Sequence, residues 1–123
     1  IYNALPDDLK AVIKPVIKLT TVGAMSTEIV QSVDNVWIPS LVELNSEHAN
    51  NNSAYLLEGY PYDIYEDNET RQKPKPDEET PQNYWTRSPV ITYQYGFWCV
   101  YNTGEISSSG ADSQMGIAFG FCI

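Results

Sequence analysis

The chain has 123 residues, 42% of them hydrophobic, with nine Tyr, three Trp and a formal net charge of −9. That length argues for one domain, and that apolar and aromatic content is enough for one core, which excludes a globally disordered chain. Seven Lys and Arg against sixteen Asp and Glu form no basic stripe, so nucleic acid and anionic membrane surfaces are poor partners; no apolar run approaches the ~20 residues of a membrane span.

A start at Ile1 without Met is expected of a fragment or processed product. Residues 5–14 are predicted to form a short helix. Pro6 suits its first position, Asp7 and Asp8 complement the positive end of its dipole, and Leu9, Val12 and Ile13 make one apolar face. Pro15 should stop it. Val16 to Val22 reads as extended chain and Gly23 as a turn. Val33 to Ile38 reads as a short strand bounded by Asp34-Asn35 and Pro39. Ser40 and Glu43 have the spacing of a capping box, which opens a second helix over about 40–47, anchored by Leu41, Val42 and Leu44.

Residues 48–83 read as a long surface loop or insertion, punctuated by Gly59, Pro61, Pro74, Pro76 and Pro81. Tyr55, Leu56, Leu57, Tyr60, Tyr62, Ile64 and Tyr65 are expected to pin its first half to the body; its second half is expected to be solvated. The carboxylates Asp63, Glu66, Asp67 and Glu69 lack the oxygen-ligand spacing and turn Gly of a calcium loop, so a solvated acidic loop is the reading, with no metal and no cofactor.

Strands resume at Tyr84. Trp85 and Arg87 should face one way, Tyr84 and Thr86 the other. Phe97, Cys99 and Tyr101 alternate with Trp98 and Val100, and Ile117, Phe119, Phe121 and Ile123 alternate with Ala118, Gly120 and Cys122. Gly104 fits the left-handed position of a hairpin turn. Cys99 and Cys122 fall in different predicted strands, as two buried thiols or as a disulfide.

An enzyme needs a positioned acid, base, nucleophile or metal. His48 stands alone in a polar segment and reads as solvent-exposed; no Cys-His pair, zinc spacing or phosphate loop is present. Arg87, between Trp85 and Pro89, is expected to stack on a ring or fork onto a carboxylate or backbone carbonyls. Trp37, Trp85 and Trp98 read first as core anchors. The candidate binding residues are Tyr93, Tyr95, Trp98, Tyr101, Ser107, Ser108, Ser109, Asp112 and Ser113. Tyr offers rigid contact area at low entropy cost, and Ser and Asn offer adaptable hydrogen bonds, the palette of recognition surfaces.

The Tyr84-Trp85-Thr86-Arg87-Ser88-Pro89 block resembles the Trp-Leu-Arg-Ser-Pro signature of an uncharacterised domain family common in gut Firmicutes and their phages. The Gly116–Cys122 ending, the Leu5–Lys10 helix and the Val36–Ser40 step are similar to that family as well. The resemblance covers residues 1–47 and 84–123. It implies an α+β, C-type-lectin-like fold of two short helices and a mainly antiparallel sheet, with an early strand and helix lying before Ile1. It also implies kinship with the variable proteins of diversity-generating retroelements, many of them receptor-binding proteins of phage tails or cell surfaces. On that reading Trp85, Arg87 and Gly116–Ile123 are scaffold. Residues between Pro89 and Phe97 and between Val100 and Gly116 are the displayed, diversifiable surface. Thr86 departs from the signature Leu, Pro39 is unusual, and 60–82 has no counterpart. The calcium and sugar motifs of animal lectins are absent, so the fold name carries no carbohydrate specificity.

The expectation is therefore one non-catalytic domain spanning 1–123, on a virion or bacterial surface. It would bind a host-cell surface protein or glycan, without nucleic acid and without membrane insertion, and could self-associate. Its rivals are a structural virion or assembly component and an enzyme of the formylglycine-generating type, which would need paired reactive Cys.

Overall fold

The computed structural model describes residues 1–23 and 25–123. Two sheets and a few one-turn helices make an α+β domain. Strands β1 (Val16–Gly23) and β2 (Ser26–Asp34) form an antiparallel hairpin running from Val16 opposite Asp34 to Thr21 opposite Ile29. Strands β3 (Tyr84–Pro89), β4 (Gly96–Val100), β5 (Ile106–Gly110) and β6 (Gly116–Ile117) form the second sheet in the order β5-β4-β3-β6; only the β3–β6 pairing is parallel. Cross-strand neighbours share a face, so Tyr84, Val100 and Ile106 point together. They bury against Leu41, Leu44, Ala49, Ala54, Tyr55 and Ile91, and this is the core.

Helix α1 is the single turn Asp7–Lys10, shorter than the predicted 5–14. Pro6 precedes it as an extended N-cap, and the chain leaves the helix so that the Lys14 N–H can bond Cys122 O at 2.9 Å. That pairing leaves Val12 51% exposed and buries Ile13 alone of the expected face. The predicted strand Val33–Ile38 is corrected likewise. β2 starts at Ser26, in a run of β-branched residues, and ends at Asp34. Trp37 instead makes an isolated two-bond bridge to Gly120.

The capping exchange between Ser40 and Glu43 forms, with the Ser40 N–H on Glu43 Oε2 at 2.9 Å and the Glu43 N–H on Ser40 Oγ at 3.3 Å. No helix over 40–47 follows, because Asn45 turns left-handed at φ 53° and ends the single turn. Leu41, Val42 and Leu44 are buried as expected.

The 48–83 stretch is not structureless. It holds a 3-10 turn ending at Asn51, α2 (Ser53–Leu56) and α3 (Asn68–Arg71). Asp67 and Thr70 cap α3 reciprocally, which holds the exposed Asp67 carboxyl below its usual range through the Thr70 N–H. Arg71 is buried and donates to Leu44 O, Asn45 O and Asn68 Oδ1. Of the expected pins, Tyr55 is buried and Tyr62 and Tyr65 are half-buried, while Leu56, Leu57, Tyr60 and Ile64 are exposed. Gly104 turns β4 into β5 with φ 81°, and a Cβ there would lie 1.6 Å from Asn68 O, so this turn and α3 are seated on each other.

The alternation in β3 is as expected: Tyr84, Thr86 and Ser88 are buried, Trp85 and Arg87 half-buried. The terminal block is not a long strand. Its backbone is tied at Gly116, Gly120 and Cys122, but Phe119 is 43% exposed and Ile117, Phe121 and Ile123 are also exposed. Scaffold is therefore true of its backbone and not of its side chains.

Candidate functional site

A closed polar cluster holds the two sheets together. Arg87 reaches from β3 to Glu43 and to the carbonyls of Leu19, Ile38 and Glu58, the forked role predicted for it. Lys18 of β1 takes the other Glu43 oxygen at 2.6 Å and donates to Tyr62 Oη at 2.8 Å. Burial alone would raise the Glu43 pKa. The hydrogen bond and charge of Arg87, with the Lys18 hydrogen bond, outweigh it and leave the carboxyl below its ordinary value. Glu58 is equally buried but has no cation on its carboxylate. It accepts from the Thr21 N–H, the Thr21 hydroxyl and Ser88 Oγ, and burial wins, raising its pKa. Among the described residues no buried side-chain nitrogen or oxygen lacks a partner.

Tyr55 roots the next segment. Its phenol donates to Pro89 O at 3.0 Å and accepts from the Ile91 N–H at 3.0 Å and the Trp98 indole N–H at 2.9 Å. One hydroxyl thus fixes both sides of the entry into the β3–β4 loop. The loop closes on itself through the Val90 N–H to Gly96 O at 2.9 Å, and onto the next loop through the Ala111 N–H to Tyr95 O at 2.7 Å. Gly96 lets the Tyr93 ring fold over it: a Cβ there would fall 2.4 Å from Tyr93 Cδ1. On this base Tyr93 is 52% and Tyr95 70% exposed, with ring centroids 6.3 Å apart and edge to face.

The predicted binding residues divide. Tyr93, Tyr95, Ser109, Asp112 and Ser113 gather at one end of the sheet, where Ser109 Oγ and Ser113 Oγ lie 2.8 Å apart and Asp112 is exposed. Ser107 and Ser108 lie along β5 opposite Cys99 and Trp98. Tyr101 is at the far end of β4, about 17 Å away at the rise of an extended chain, and half-buried beside the Gly104 turn. Trp98 is a root: it packs against the core, bonds Tyr55 and stacks on His48 at 5.0 Å. That stacking corrects the expectation of an exposed His48, now half-buried. Both thiols are free; Cys99 is buried and Cys122, expected to be buried or bonded, is exposed. Burial pushes the Cys99 thiol up to about 11.

A second concavity lies beyond the β3–β6 edge. It is a groove of about 480 Å³ lined by Trp37, Tyr62, Tyr65, Lys73, Asn83 and Phe119 among others. The larger cleft beside His48, about 760 Å³, is walled by Glu47, Asp67, Glu69 and Glu105 and has no Phe, Tyr or Trp in its lining. Among the described residues no group of three His, Cys, Asp or Glu is placed to hold a metal ion, and no helix is long and apolar enough to cross a membrane. The groove and the Glu43 cluster escaped sequence reading. Their signal is charge inside apolar runs: Ile17-Lys18-Leu19, Val42-Glu43-Leu44 and Leu57-Glu58.

No curated protein and no solved structure matches the chain. The family model described as a domain of unknown function, DUF6273, matches residues 1–123. A match over the whole length makes this chain a member of the DUF6273 domain family.

Proposed function

We propose that the domain is a non-catalytic ligand-binding module of C-type-lectin-like type, carried by a phage tail or bacterial surface protein, whose ligand is a host-cell surface protein or glycan. The observation that carries this reading is the pair of exposed rings, Tyr93 and Tyr95, on a loop fixed by buried hydrogen bonds. A recognition surface gains affinity when its contact residues are ordered before binding. Ser109, Asp112 and Ser113 add polar groups beside the rings, and Tyr, Ser and Asp are residues a diversity-generating retroelement would interchange. The buried thiol of Cys99, with its raised pKa, is a poor nucleophile, which weighs against the formylglycine-generating rival with its paired reactive Cys. Beads coated with the domain should retain intact bacterial cells of the host, and soluble domain should compete. Beads that retain no cells of any gut species tested would overturn the reading.

One observation favours an assembly component as second reading. Ile117, Phe119, Phe121 and Ile123 present exposed apolar side chains along one terminal segment, which a neighbouring subunit could cover. Under that reading the protein sediments as an oligomer, and charged substitutions at Phe119 and Phe121 dissociate it.

A further inference from the structure

The groove beyond the β3–β6 edge is at the Tyr84 end of β3, opposite the tyrosine loop, and is a separate surface. Its walls are rings: Trp37, Tyr62 and Tyr65 half-buried, Phe119 exposed. Tyr62 and Tyr65 lie 6.4 Å apart and tilted by 31°. Its volume falls within the range of small-ligand sites, which combine apolar walls with a few convergent polar groups.

Charge selects among ligands. The chain carries −9, yet this groove is edged by cations. Lys18, outside the lining, stands 4.1 Å from the centre of the Trp37 ring and is consumed by Glu43; of the lining cations, Lys75 pairs with Glu78. Lys73 has neither an ion pair nor a side-chain hydrogen bond among the described residues; its ammonium stands 5.1 Å from the centre of the Tyr65 ring. The Trp37 indole N–H is likewise committed to no acceptor among the described residues, and its edge lies beside Gly120 in the groove wall. An ammonium and an indole N–H along one aromatic wall suit a carboxylate borne on a compact ring. The Asn83 amide nitrogen, whose oxygen is taken by the Asn102 N–H at 2.8 Å, and the Tyr65 phenol suit the hydroxyls of such a ring.

We infer that this groove is a binding site for an acidic saccharide, a hexuronic acid residue whose ring lies against the aromatic wall and whose carboxylate meets Lys73. The inference is independent of the tyrosine loop, so a variant with Tyr93→Ser and Tyr95→Ser should bind the sugar as the wild type does.

The test is a titration of the intact domain with digalacturonate, followed by proton–nitrogen NMR at the Trp37 indole N–H. Neutral digalactose, hexaglutamate peptide and benzoate serve as comparison ligands. The expected result is a saturable shift of that resonance with digalacturonate. Affinity should fall about tenfold in Lys73→Gln and recover in Lys73→Arg, and should weaken with added salt. Lys73→Gln and Lys73→Arg must first show the wild-type spectrum elsewhere. No saturable shift, or equal affinity for digalactose, overturns the inference. So does tighter binding of hexaglutamate or benzoate, which would make the groove a peptide or aromatic-acid site.

Discussion

Pro89 divides two regions that dispose of their polar and aromatic groups in opposite ways. Just before it, β3 sends Arg87 into a closed set of acceptors, where Glu43 and three carbonyls take its guanidinium protons. Just after it, the chain lifts Tyr93 and Tyr95 into solvent with their rings uncovered. The first region joins segments far apart in sequence: β1, the Ser40 turn, the end of α2 and β3. The second joins the loops at its own end of the sheet and is rooted on Tyr55 of α2 and on the Met25 N–H. A group whose partners are all inside the chain can only stabilise the fold. A group whose partners are absent is available to something else.

The strongest way to break the comparison is on the closed side. Arg87→Met leaves Glu43 buried with Lys18 alone and strips the carbonyls of Leu19, Ile38 and Glu58 of their guanidinium donor. It should cost ~3–5 kcal/mol, a large part of the stability of a small domain, read as a fall in the urea midpoint. A loss below about 0.5 kcal/mol, the range of ordinary surface changes, would show the cluster to be incidental. Tyr55→Phe tests the joint between the regions. It orphans the Ile91 N–H and the Trp98 indole N–H, at about 1–3 kcal/mol, and should weaken cell retention as well, because the tyrosine loop loses its root.

Glu58→Gln separates the two carboxylates by pH. The Glu43 pKa is lowered by folding, so its contribution is present above the ordinary value of 4.5 and lost as pH falls through the lower folded value. The Glu58 pKa is raised, so its contribution is full below 4.5 and declines as pH rises through the higher folded value. Gln keeps an oxygen for Thr21 and a polar group for Ser88 without the titration. Denaturation midpoints from pH 4.5 to 8 should therefore fall less with pH in Glu58→Gln than in the wild type, while the loss due to Glu43 below pH 4.5 remains. Parallel curves would contradict the assignment.

The α+β class came with the family resemblance; the period-two alternation of β3, the Gly104 turn and the fork of Arg87 were legible in the sequence because each rests on local rules. Alternation and left-handed glycine need only neighbours, and a cation in an apolar strand must find acceptors. Helix lengths were not legible. The residues of 5–14 and 40–47 favour helix, but Lys14 pairs with the distant Cys122 and Asn45 turns the chain into the core. The same limit applies to the site. Composition and the family resemblance assign Tyr93 and Tyr95 to a displayed surface. Trp98 and Tyr101, of the same composition, could not be separated from them until the register of β4 placed one over Tyr55 and the other at the far end. Phe119, read as frame, is exposed because β6 ends at Ile117, two residues before it.

The most direct test of the division at Pro89 is one double variant, Tyr93→Ser with Tyr95→Ser, measured twice in the same preparation. The account predicts an unfolding free energy, from urea titration, within about 0.5 kcal/mol of the wild type, as for surface positions, together with loss of cell retention by the coated beads. A variant that unfolds, or one that retains cells as well as the wild type, would contradict it.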